Sequence, residues 1–128
     1  MRLRVGGICV RNDAVLLVRH DGLGPKNTLW APPGGGVAFG ESLPDALRRE
    51  VREETHLHTT PGDFLFGHEY VRPPLHAVEL FFEMRADGEP RLGHDPEMRA
   101  DVQIIREVRF VPFAHITAAD PDRYHHLF

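Results

Sequence analysis

The chain has 128 residues, 41% apolar and 27% charged, with a formal net charge of −4. This suits one domain of ordinary size with a real core, spanning residues 1–128, and excludes a disordered chain. The acidic balance argues against a general nucleic-acid binder, so handling phosphates here requires a local positive device, either a bound cation or a few placed arginines.

Leu3–Arg11 and Ala14–His20 read as two strands joined by a turn at Asn12-Asp13. Cys9 lies in the first of them and is the only cysteine, so no internal disulfide forms and a reducing compartment is expected. The N-terminus is charged too early for a signal peptide, and no apolar run approaches the roughly 20 residues of a membrane helix, so the expectation is a soluble cytoplasmic protein. Residues 21–36, rich in Gly and Pro, read as a loop with a short strand near Leu29-Trp30. Within it, Gly34, Gly35 and Gly36 read as a turn whose backbone can adopt positive φ and approach a ligand closely.

A helix is expected over Leu43–Thr55. Ser42 suits the N-cap, Pro44 is tolerated in the first turn, and Asp45 complements the positive end of the helix dipole. Asp63–Arg72 and His76–Ala86 read as an antiparallel strand pair joined through Pro73-Pro74. Residues 87–101 are polar and read as a loop, 102–113 as a last strand, and the tail from Ala114 as a short helix.

The helix is unusual when placed on a wheel at about 100° per residue. With Glu50 at zero, Glu54 falls at about 40° and Glu53 at about 300°, among Leu43, Ala46, Leu47 and Leu57 at about 20°, 320°, 60° and 340°. Arg48, Arg49 and Arg52 fall mostly on the far side. Three carboxylates sharing an apolar arc repel one another and suffer desolvation. Either arginines from elsewhere pair with them, or they surround a hard divalent cation such as Mg²⁺ or Mn²⁺.

This stretch resembles the Nudix box, G-x5-E-x7-R-E-U-x-E-E-x-G-U, where U is a bulky apolar residue. Gly35, Glu41, Arg49, Glu50, Val51, Glu53, Glu54 and Leu57 match at the required offsets, and Pro33-Gly34-Gly35 resembles the usual entry. One position departs: His56 stands where the family has Gly. That glycine serves a left-handed helix ending, which histidine adopts at a cost of about 1 kcal/mol, so the chemistry is expected to survive.

The resemblance implies an α/β/α sandwich around a mixed β-sheet. It also implies Mg²⁺- or Mn²⁺-dependent hydrolysis of the pyrophosphate bond in a small nucleoside diphosphate derivative: ADP-ribose, a nucleoside triphosphate or a nucleotide sugar. By that resemblance Glu50, Glu53 and Glu54 bind metal together with the Gly34 carbonyl. Arg49 orients the glutamates, Glu41 supports the site, and Glu50 or Glu53 is a candidate base. Gly34 and Gly35 lie against the bound group. The substituted His56 leaves a non-catalytic nucleotide-binding module as the alternative, and the resemblance also allows a homodimer.

Outside the box, Arg19 at a strand end and Lys26 are candidate phosphate contacts. Glu97, Asp101 and Glu107 are candidates for a further carboxylate from a later loop. Trp30 is read as packing under its loop. Phe66, His68 and Tyr70 share one strand face, which suits the core or a nucleobase. Pro73 follows Leu57 at an offset associated in this family with ADP-ribose hydrolysis. The nine histidines lack the companions of a transition-metal site and read as surface residues.

Overall fold

Asn12 and Asp13 both take left-handed backbone angles, φ 51° and 61°, in a computed structural model that describes residues 1–21, 28–93, 105–118 and 124. Asn and Asp tolerate that region best among residues with a Cβ, and two successive positive φ values match the twist of a tight hairpin. The hairpin joins β2 (Val10–Arg11) to β3 (Ala14–Asp21), with Val10 opposite Val15.

The expected first strand is divided in two. β1 (Arg2–Ile8) belongs to one sheet and β2 to the other, with the buried Cys9 between them. The Cys9 carbonyl accepts from the Leu16 amide at 3.0 Å, which ties the crossing point to β3.

The chain continues through β4 (Thr28–Ala31), β5 (Gly34–Gly36), helix α1 (Leu43–Thr55), β6 (Thr59–Arg72), β7 (Leu75–Ala86), β8 (Ile105–Pro112) and α2 (Phe113–Ala118). One sheet runs β5-β1-β7-β6 and is mixed, because β1 and β7 are parallel while the other pairs are antiparallel. The second sheet runs β2-β3-β4, with β8 antiparallel to β3.

β3 explains the layering. Its run Ala14–Val18 is buried on both faces, and side chains alternate across a strand. Leu16 joins the α1 side with Val5, Ala46, Leu47, Val51, Leu57 and Met84. Val15 and Leu17 join the other side with Trp30, Val111 and Tyr124, against Ile116 of α2. Helices thus cover opposite faces of the strands, as expected for the sandwich.

The three glycines are a strand rather than a turn. β5 pairs antiparallel with β1, Val5 opposite Gly35, and the positive-φ glycines among the described residues are Gly40 and Gly88. Glycine is required here by close approach. A Cβ at Gly34 would collide with the Val5 carbonyl, and one at Gly35 with the Glu50 carboxylate.

Helix α1 has the expected ends. Ser42 Oγ accepts from the Asp45 amide at 3.2 Å. His56 closes the other end at φ 62°, ψ 10°, its amide donating to the Arg52 carbonyl at 2.9 Å. Two more terminal carbonyls are met by the segment after β7: Gly93 donates to Glu54 at 2.8 Å and Arg91 to Thr55 at 2.9 Å. The carboxylate-bearing last turn is therefore held from outside as well as by its own cap.

Candidate active site

The glutamates do turn inward. Glu50 is 7% exposed and Glu54 5%, beside the fully buried Ala46, Leu47 and Val51. Glu53 sits at the rim, with its side chain 22% exposed.

Arg49 organises the cluster. Its Nε and Nη2 donate to the two oxygens of Glu41, at 2.8 and 2.9 Å. Its Nη1 donates to Glu50 Oε1 at 3.0 Å and Glu53 Oε2 at 3.3 Å, and Nη2 also donates to the Gly36 carbonyl at 3.0 Å. Glu41 is steadied by the Ala38 amide at 3.1 Å and follows Gly40, whose φ of 83° turns the chain toward the helix. A planar guanidinium with five fixed donors can serve three carboxylates and a carbonyl together; a lysine cannot.

The electrostatics follow. Hydrogen bonding from Arg49 holds the Glu41 carboxyl below the usual carboxylate range, against a smaller opposing effect of burial. The Arg49 pKa is raised, first by its bond to Glu41 and then, over the opposing effect of burial, by Glu50.

Glu54 is met differently: the Gly34 amide donates to its Oε1 at 2.9 Å. β5 therefore reaches the helix through an N–H of Gly34 and through the bare Cα of Gly35 packed on Glu50.

Four carboxylates stand beside one guanidinium, which leaves these five side chains with a formal surplus of three negative charges. Among the described residues no three ligand-type side chains already converge as a cage; Glu50 and Glu53 are turned to Arg49, and Glu54 to Gly34. The donor set is nevertheless all carboxylate oxygen, clustered and partly sheltered from water, and it fits a hard divalent cation.

The other candidates separate from this cluster. Arg19 pairs with Glu107 at 3.4 Å and Asp21 at 3.5 Å. Glu107 also meets Arg109 at 3.1 Å, so its carboxylate is engaged by two arginines. Trp30 packs in the core with the Arg109 guanidinium 5.1 Å from its ring. Phe66 stacks on Phe81 at 5.0 Å between centroids. Lys26, Glu97 and Asp101 lie outside the described residues.

Beside Glu53 and Arg49 opens a cleft of about 630 Å³, lined also by Arg48, Arg52, His56 and His58. The wheel set these arginines aside as far-side charges. The Gly36 carbonyl and Ala38 amide, which anchor Arg49 and Glu41, left no mark in the sequence, because every residue type carries such groups. Among the described residues no helix is long and apolar enough to cross a membrane.

The family model for the NUDIX domain matches residues 1–127. The chain is 39% identical over 74 residues to the m7GpppN-mRNA hydrolase NUDT17 of Danio rerio, covering 54% of this chain and 25% of that protein. It is 34% identical over 65 residues to the CTP pyrophosphohydrolase of Escherichia coli (strain K12), covering 51% of this chain and 48% of the relative. These matches span less than half the length of either curated relative. In three dimensions the chain is similar to a MutT NUDIX hydrolase from Burkholderia pseudomallei, with a TM-score of 0.77 at 22% identity, covering 98% of this chain and 91% of the other. That likeness concerns the fold.

Proposed function

This chain belongs to the Nudix family, and from that premise we propose that it hydrolyses the pyrophosphate bond of a small nucleoside diphosphate derivative with the help of Mg²⁺ or Mn²⁺. The substrate classes are ADP-ribose, a nucleoside triphosphate and a nucleotide sugar. The observation that carries this reading is the cluster of Glu50, Glu53 and Glu54 on α1, Glu50 and Glu54 buried and Glu53 at the rim, with Glu50 and Glu53 held by Arg49 and Glu54 by the Gly34 amide.

Glu50, Glu53 and Glu54 would hold the ion, with the Gly34 carbonyl as a further oxygen donor. When bound, a divalent ion neutralises phosphate charge and makes water more acidic at neutral pH. Arg49 fixes Glu50 and Glu53 and damps their mutual repulsion, while Glu41 fixes Arg49. Glu53, more exposed than Glu50 and lining the cleft, is the base in this reading. It takes a proton from the attacking water; a P–O bond forms, the anhydride P–O bond breaks, and the leaving phosphate keeps the electron pair.

One curated relative is named for an mRNA and the other for CTP. The net charge of −4 favours a small nucleotide over an RNA body. Buried Cys9 accords with the reducing cytoplasm. The binding-module alternative rested on His56, which takes the left-handed helix ending with its cap bond made.

A panel of ADP-ribose, nucleoside triphosphates, nucleotide sugars and dinucleoside polyphosphates, assayed with Mg²⁺ and with Mn²⁺, tests the proposal. Metal-dependent release of a monophosphate or pyrophosphate from one class is the expected result. Tight binding across the panel with no product would overturn it.

A further inference from the structure

Arg48, Arg52 and His56 follow one another at intervals of four along α1 and its cap, so they form one exposed stripe about 12 Å long. The neighbouring stripe holds Arg49 and Glu53 of the acidic cluster. Both stripes line the cleft of about 630 Å³, and His58 and Thr59 complete it where β6 begins. Small-molecule sites typically enclose about 300–1,000 Å³.

The charges of this cleft do not cancel. Arg48 pairs with Asp45 at 2.8 Å, and Arg49 with Glu53 at 3.3 Å, so both carboxylates of the lining are already engaged. The side chain of Arg52 makes no ion pair or hydrogen bond among the described residues, and neither do those of His56 and His58. One guanidinium and two imidazoles therefore line the cleft with donors to spare. Thr59 is buried, and its Oγ1 has no hydrogen-bond partner among the described residues.

His56 stands where the box has glycine. Its left-handed backbone is unfavourable for a residue with a Cβ, whereas glycine adopts it freely. Strain of this kind concentrates where a side chain has a use, and this side chain enters the cleft one turn beyond Arg52. A diphosphate held at Glu50, Glu53 and Glu54 lies on the acidic side of the boundary. Whatever extends past Glu53 along the cleft meets Arg52 and His56 instead. In ADP-ribose and nucleotide sugars that extension is a neutral sugar. In a nucleoside triphosphate or a dinucleoside polyphosphate it is another phosphate.

We propose that Arg52 and His56, with Arg48 and His58, form an anion subsite that takes a phosphate beyond the diphosphate held at the glutamates, which makes the substrate a nucleoside triphosphate or a dinucleoside polyphosphate. The placing of that diphosphate rests on the pyrophosphohydrolase reading. Guanidinium and imidazole N–H groups donate to phosphate oxygens, and the guanidinium does so through strong charge-assisted bonds. A sugar hydroxyl needs acceptors as well as donors, and the carboxylate acceptors of the cleft, Asp45 and Glu53, are taken by Arg48 and Arg49.

In metal-free buffer the glutamate cluster repels anions, so titration calorimetry of the full chain with inorganic triphosphate isolates the cleft from the metal site. Saturable binding is expected, weakened about 10-fold or more by Arg52→Gln. His56→Gly is expected to weaken it in a fold at least as stable, which separates lost binding from misfolding. Arg72→Gln removes the same charge at the far end of β6 and is expected to bind as the wild type does. In hydrolysis with metal, kcat/KM is expected to favour polyphosphate substrates over ADP-ribose and nucleotide sugars by about 10-fold or more, and Arg52→Gln to shrink that preference through KM. Comparing the triphosphate with the dinucleoside polyphosphate shows which of the two supplies the phosphate. Triphosphate binding that is absent, or indifferent to both Arg52→Gln and His56→Gly, overturns the proposal. So does a preference for ADP-ribose or a nucleotide sugar, with hydrolysis itself intact. Binding that needs Arg52 and His56 in a chain that cleaves nothing upholds the subsite and removes the hydrolase reading instead.

Discussion

Arg49 grips Glu41, eight residues earlier in the chain, with two parallel hydrogen bonds of 2.8 and 2.9 Å. The same guanidinium reaches Glu50 and Glu53, so the loop before α1 and the acidic face of α1 are held as one unit. Arg49→Lys keeps the charge but loses the fork. In the proposed enzyme it is expected to lower kcat about 100-fold, the scale of small misplacements of catalytic groups. Circular dichroism should be unchanged. An unaltered kcat would show that Arg49 does not position the glutamates.

Glu53→Gln removes the assigned base and one ligand. Turnover is expected to fall about 10²–10⁴-fold, with the apparent affinity for metal weakened. An ion that binds only the folded state must stabilise it, by about 2.7 kcal/mol at a hundred times its Kd. Millimolar Mg²⁺ should therefore raise the melting temperature of the wild type more than that of the variant. Equal shifts would remove Glu53 from the ligand set.

The Glu41–Arg49 pair makes stability depend on acid. Hydrogen bonding from Arg49 lowers the folded-state pKa of Glu41 below its ordinary value of 4.5. As pH falls, the unfolded chain takes up this proton first, so the pair's contribution is whole above pH 4.5 and is lost as pH drops through the folded-state value. The gap in melting temperature between wild type and Glu41→Gln should be widest near neutrality and close below pH 4.5. A gap that does not vary with pH would remove the pair as its source.

Gly35→Ala puts a methyl group into the Glu50 carboxylate. Overpacking of this kind typically destabilises by about 1–3 kcal/mol, and here the group displaced is a candidate ligand. The expected outcome is a lower unfolding midpoint in urea together with weaker metal-induced stabilisation. A neutral substitution would mean that β5 yields freely.

His56 occupies a backbone region that costs a residue with a Cβ about 1–2 kcal/mol. His56→Gly should therefore raise stability, by about 1 kcal/mol once the added freedom of the unfolded chain is counted. Urea titration measures the change, and a destabilised variant would show that the histidine side chain contributes more than its backbone costs.

Much of the site was legible in the chain itself because it is local. Helix α1 begins and ends where Ser42 and His56 indicate, and the helical period alone turns Glu50 and Glu54 inward. The Asn12-Asp13 turn and the β6–β7 pair are local in the same sense. Such features depend on residues a few positions apart, whose relative placement the backbone geometry dictates.

Other features depended on partners remote in sequence. The division of the first strand at Cys9 follows from two sheets competing for one segment, tied down by Leu16. The glycines of β5 are needed because Val5 and Glu50 arrive beside them. Arg19, read as a candidate phosphate contact, has Glu107 as a partner that only folding brings against it, from 88 residues away. Charge and hydrogen-bonding capacity are written in each residue, but which partner uses them is decided by packing. Only the folded chain sets those distances.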